Sequence, residues 1–179
     1  MLSKQDDILT VEHFFLESDC KTQAEAFQEI ATSAKKLGFL KKNISEKSLV
    51  NSFIQREGTT SFGDGVAVPH ARNEDIVKSG IFIMRFKQPI PWKALDEQPV
   101  KAIIALIAPL KSAGNEHLEI LSKVAQRLTK PEFQSILFNS KDKKVIIQSL
   151  NINNKPNVET SGKTISEYMK GSSKKLKIL

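Results

Sequence analysis

Apolar residues recur at three- and four-residue steps over 22–37, where Phe27, Ile30, Ala31, Ala34 and Leu37 share one face of a helix. Thr22 and Glu25 stand at capping-box spacing at its start, and Gly38 is the stop. The same period over 45–56 aligns Leu49, Val50, Phe53 and Ile54, predicting a second helix that ends just before Gly58 and leaves Arg56 and Glu57 beside the segment that follows. The pattern then changes. Residues 66–68 form a short apolar run, while 81–86 and 100–108 are rich in β-branched and aromatic residues and bounded by Gly80, Pro89, Pro91, Pro99 and Pro109. Those three segments read as buried strands, with 92–97 a turn or short connection. Past a loop over 111–115, Leu118, Leu121, Val124, Ala125 and Leu128 return to helical spacing, and two short helices follow over 131–138 and 141–150. This alternation predicts an α/β fold, a mixed β-sheet flanked by helices on both faces.

Beyond Asn151 the periodicity dissolves into Asn, Lys, Ser, Thr and Gly. The division expected is one domain over 1–150 and a flexible linker over 151–179. Charge follows the same division. The whole chain carries 27 Lys plus Arg against 20 Asp plus Glu, but residues 1–140 hold 18 against 17 and residues 141–179 hold 9 against 3. The net of +7 is therefore +1 in the body and +6 in the tail. A basic tail whose only aromatic is Tyr168 reads as a solvated linker and not as a nucleic-acid arm. The single cysteine, Cys20, excludes an internal disulfide and any multi-cysteine metal site. No apolar run approaches the roughly 20 residues of a membrane helix, and the first residues lack a signal peptide's order, so the expected location is cytoplasmic.

Candidate chemistry gathers at two of the three histidines. His70 follows Val66, Ala67, Val68 and Pro69, which places it at a rigid strand exit behind a turn punctuated by Gly63 and Gly65. His117 falls in the first turn of the helix that begins after Asn115, where the dipole favours a neutral ring and an adjacent anion. His13, next to Phe14 and Phe15, reads as structural. Zinc lacks a third ligand at suitable spacing, for there is no HExxH and no CxxC. Residues 58–63 match the GxxxxG of a P-loop, but Asp64 and Gly65 stand where lysine and a hydroxyl residue are required. No GxSxG elbow is present. What remains is an imidazole nucleophile: its ring is mostly neutral at cytoplasmic pH and can attack phosphorus without a separate base or a metal. Donors for the equatorial oxygens are expected from Arg56, from His117 and from backbone amides around Gly63 and Gly65.

Arg56-Glu57, Thr59-Thr60 and Gly63-x-Gly65-x-Ala67-x-Pro69-His70-Ala71 closely resemble the phosphorylation-site signature of the fructose/mannitol-type enzyme IIA domains of the bacterial sugar phosphotransferase system. Gly114-Asn115-Glu116-His117-Leu118 is similar to that family's second histidine motif, and Trp92-x-x-Leu95-Asp96-x-x-Pro99-Val100 to its inter-strand segment. The resemblance spans about residues 8–150. It implies the mannitol/fructose-type IIA fold and a phosphoryl relay without a cofactor: His70 accepts the group from the phosphocarrier protein HPr and passes it to a cysteine of an enzyme IIB domain. Arg56 and His117 are implied as phosphate-stabilising, and Thr60, Ser61, Gly63 and Gly65 are assigned to phosphate binding. The chain departs from the family at Ser61-Phe62, where Gly-Ile is common; Ser61 brings a Cβ that restricts the turn and a hydroxyl able to donate. Residues 174–179 resemble the opening strand of a fructose-type IIB domain, so an acceptor in the same polypeptide is expected, with the membrane reached only through a IIC permease domain. The resemblance leaves a second reading open, a regulatory nitrogen-type IIA that acts by binding partners according to its phosphorylation state.

Overall fold

The computed structural model describes residues 7–55, 61–92, 98–111 and 115–153. A 3-10 turn, Val11–His13, leads into strand β1 (Phe14–Ser18), and helices α1 (Gln23–Lys36) and α2 (Lys47–Gln55) follow. Strands β2 (Ser61–Gly63), β3 (Val66–Ala67), β4 (His70–Asn73), β5 (Gly80–Ile90) and β6 (Val100–Pro109) precede helices α3 (Glu116–Leu128), α4 (Pro131–Asn139) and α5 (Lys143–Leu150). The sheet order is β1-β5-β6-β3-β2, and β4 also pairs with β6. It is a mixed sheet: β5 and β6 are antiparallel, as are β2 and β3, whereas β1 runs parallel to β5 and both β3 and β4 run parallel to β6.

Alternation along β6 separates two cores, because successive side chains leave a strand on opposite faces. Ile103, Ala105 and Ile107 join Phe27 and Ile30 of α1 and Leu49 and Phe53 of α2 on one side. Ala102, Ile104 and Leu106 join Ile120, Val124 and Leu128 of α3 with Leu137 and Ile146 on the other. Helices therefore cover both faces, as the alternation of elements predicted. The Thr22 hydroxyl accepts the Glu25 amide at 3.1 Å, but the Glu25 carboxylate reaches back to the Lys21 amide instead of that of Thr22. Gly38, at φ 83°, takes the left-handed turn that ends α1.

Several elements differ from expectation. Strand β1 lies in a segment read only as the surroundings of His13, since five residues on an outer edge carry too short a pattern to separate strand from loop. Strand β5 runs on past Pro89, which is accommodated because the pairing with β6 shifts register between Arg85 and Ile90 and needs no donor there. Trp92 is buried and meets Phe27 edge-on at 5.5 Å, while 93–97, expected as a turn, lie outside the described residues. The packed body also extends three residues beyond 150. Ile152 is buried, and the Asn153 amide both donates to the Leu9 carbonyl at 2.9 Å and accepts the Leu9 N–H at 3.2 Å, clasping the two ends of the described chain together. The linker expected over 151–179 lies outside the described residues from 154 onward.

Candidate functional site

The apolar run at 66–68 was expected to be one strand with His70 at its exit; instead Val68 and Pro69 interrupt the ladder and His70 opens a further strand, β4, on the same edge of β6. Proline without an amide hydrogen forces that interruption, and its carbonyl still accepts the Leu106 N–H at 2.9 Å, so the register is kept across the gap. His70 pairs with Leu106 and Arg72 with Ala108. Ala71, between them, is buried in the core of α1 and α2. His70 and Arg72 consequently share the opposite face, the one covered by α3.

His70 is half-buried, and its Nδ1 lies 3.4 Å from the Val68 carbonyl. A carbonyl only accepts, so this contact puts the ring proton on Nδ1 and the lone pair on Nε2. His117 stands in the first turn of α3, as expected, and its Nε2 is 3.3 Å from Nη1 of Arg72. A guanidinium only donates; His117 Nε2 is thus the acceptor, and its ring is neutral with the proton on Nδ1. Arg72 is itself held by two backbone carbonyls at the end of β6, donating from Nε to Pro109 at 3.3 Å and from Nη2 to Leu110 at 2.7 Å. The structure thus links His70, Arg72 and His117 through one strand face and one side-chain contact. Arg72 was not among the residues expected at the site. The signal for it was the His-x-Arg spacing, which on a strand sets both side chains on one face.

The glycine turn falls elsewhere. Asp64 and Gly65 form a two-residue hairpin loop with φ of 56° and 82°, the pattern of a type I′ turn, between β2 and β3. Val66 pairs with Ala102 and His70 with Leu106, so the turn precedes His70 by at least the four steps from 102 to 106, or ~13 Å at ~3.3 Å a step. Gly63 and Gly65, both at positive φ, thus shape the hairpin turn several strand positions before His70. The Gly65 carbonyl accepts the Lys101 N–H at 2.7 Å. Ser61 is nearer, its backbone paired with Ala67. Arg56 and Thr60 lie outside the described residues. Phe62, the other departure from the family pattern, is buried in the α3 core and anchors the hairpin there. Among the described residues no group of three or more His, Cys, Asp or Glu could hold a metal, and no helix is long and apolar enough to cross a membrane.

Residues 7–153 match the family described as "Phosphoenolpyruvate-dependent sugar phosphotransferase system, EIIA 2". The chain belongs to this EIIA 2 family. Among its relatives, the "PTS system fructose-specific EIIABC component" of Bacillus subtilis is 27% identical over 152 residues, covering 85% of this chain and 24% of that protein. The chain thus spans about a quarter of that multidomain relative. The "Nitrogen regulatory protein" of Bradyrhizobium diazoefficiens is 32% identical over 131 residues, 72% of this chain and 82% of that one. Among solved structures, the nitrogen regulatory protein IIA-Ntr of Neisseria meningitidis superimposes with a TM-score of 0.72 at 26% identity, covering 80% of this chain and 96% of that one. Membership of the EIIA 2 family makes the chain a phosphotransfer-system component, and the α/β fold is the one the resemblance implied.

Proposed function

We propose that the chain is a cytoplasmic phosphoryl relay of sugar uptake, working through a phosphohistidine at His70. Phospho-HPr is the donor, a cysteine of an enzyme IIB domain, in the same polypeptide or a separate one, is the acceptor, and the sugar served is fructose or a related hexose or hexitol. The observation that carries this reading is the Nδ1 contact of His70 with the Val68 carbonyl, which leaves the lone pair on Nε2, on the strand face that also carries Arg72. In the loading step Nε2 attacks phosphorus, and the bond from phosphorus to the donor's leaving atom breaks with its electron pair on that atom. In the unloading step the acceptor thiolate attacks the same phosphorus, and the N–P pair returns to Nε2. Neither step needs a redox partner. Alignment and hydrogen-bond donors for the three equatorial oxygens supply the catalysis; His117 serves as one donor and Arg56 is expected as another.

A second reading, a regulator that holds the phosphoryl group and acts by partner binding, draws on the similarity to the two nitrogen regulatory proteins. Incubating the protein with labelled phospho-HPr and purified IIB domains separates the two. A relay passes the label to IIB, whereas a regulator retains it. His70→Ala abolishes acceptance, and stable labelling of that variant would overturn the nucleophile assignment. His117→Ala slows transfer, particularly onward to IIB; an unchanged rate in both directions contradicts its role.

A further inference from the structure

We propose that Arg72 is a positioning residue for phosphoryl transfer: it fixes His117 as the neutral tautomer protonated at Nδ1 and so aims the one proton that ring can donate. The proposal rests on the reading of His70 as the phosphoryl acceptor. Three observations on Arg72 lead to it. Its guanidinium is tied by Nε and Nη2 to the carbonyls of Pro109 and Leu110, so the plane of the group is set by backbone at the end of β6 and not by rotamer choice. The remaining arm, Nη1, meets Nε2 of His117 at 3.3 Å. The residue sits two positions from His70 on the same face of β4.

A planar cation held at two of its corners cannot turn away from the third contact, and it has no acceptor to offer. Nε2 of His117 must therefore remain unprotonated while the contact lasts. An imidazole without such a partner exchanges between two neutral tautomers and, near its ordinary titration range, a charged form. With Nε2 engaged by Arg72, Nδ1 is the one ring nitrogen of His117 left to carry a proton. Arg72 thus acts through His117, as the group that orients a general base's far nitrogen acts through that base.

Long-range proton–nitrogen NMR of the histidine rings in the full chain tests the first half of this. The His117 ring of the unaltered protein shows the Nδ1-protonated tautomer, and Arg72→Met shows a mixture. Arg72→Lys, which keeps a cation and a donor but loses the fork, falls between them and also serves if the methionine variant does not fold. Labelled transfer from phospho-HPr through to IIB tests the second half. His117→Ala is slowed about 100-fold, the order of one lost transition-state donor. Arg72→Met is slowed about tenfold, and the double variant is no slower than His117→Ala alone, because both changes remove the same contribution. Slowing that multiplies in the double variant, or a tautomer unmoved by Arg72→Met, overturns the proposal. Failure of the unaltered chain to take up label instead sinks the reading of His70, and the ring spectra, which need no phosphoryl donor, still report on Arg72 separately.

Discussion

The Asn73 side-chain amide donates to the Ser52 hydroxyl at 2.7 Å, joining the strand that carries His70 to the helix that leads toward Arg56. The same amide nitrogen also reaches the Ser48 carbonyl and hydroxyl at 3.3 Å, and the Ser48 hydroxyl donates to Asp75 at 2.6 Å. Asn73 and His70 leave β4 on opposite faces, so this network braces the strand from behind the site. Asn73→Ala leaves the Ser52 and Ser48 groups short of a partner and is expected to cost about 1–3 kcal/mol. Urea unfolding measures it. Because β4 pairs only with β6 among the described residues, labelled transfer through His70 should slow as well; full stability in the variant would show that the network does not hold the strand.

Gly65→Ala tests the separation of the hairpin turn from the histidine. Its φ of 82° lies where a Cβ is strained, and the added carbon would come within 3.3 Å of the Lys101 side chain. The left-handed conformation alone costs about 1–2 kcal/mol for a non-glycine residue. Stability should fall by that order while phosphoryl acceptance at His70 changes little. A variant of unchanged stability whose acceptance collapses would instead make the turn part of the phosphate site.

His13 supplies a pH dependence. The ring stacks on Phe82 at 4.8 Å with Phe39 edge-on at 5.3 Å, and its Nδ1 accepts the Thr10 N–H at 3.3 Å. Burial lowers its pKa below the ordinary 6.5, outweighing hydrogen bonds to the Ile81 and Ile8 backbone, while Glu12 raises it and Lys78 lowers it. Below 6.5 the unfolded chain holds a proton on this residue that the native chain lacks, so stability rises with pH through that window and falls on acidification. His13→Phe removes this contribution. Comparing urea midpoints at about pH 7.5 and about pH 5.5, the variant should lose less than the unaltered protein; equal losses would assign the slope to other groups.

Cys20 is held as a thiol. Its Sγ donates to the Glu29 carboxylate at 2.8 Å, and burial together with that contact pushes its pKa up to about 11. Modification by a thiol-reactive disulfide at about pH 8 should be slow, because only the thiolate attacks. Glu29→Ala removes both the acceptor and its charge, so labelling should accelerate several-fold. An unchanged rate would leave burial as the sole cause.

The amphipathic helices α1, α2 and α3, the buried strands β5 and β6 and the covering of both sheet faces were legible in the chain because each rests on a repeat of apolar residues long enough to fix its own period. So was the placement of His70 on a strand edge and of His117 in a helix's first turn, since the strand, proline and helix-start signals around them are local. Short elements were not: β1, β2 and β4 carry five residues or fewer and exist because β5, β3 and β6 offer them a pairing edge. The glycines at 63 and 65 signalled a turn correctly, but which end of β6 that turn occupies depends on register, and register is set by hydrogen bonds to a strand more than thirty residues away. Arg72 was hidden for the same reason. Its partners, Pro109, Leu110 and His117, lie 37, 38 and 45 residues further along and meet it only when β4 docks on β6. Local pattern determined which residues could do the chemistry, whereas long-range pairing decided which of them stand together.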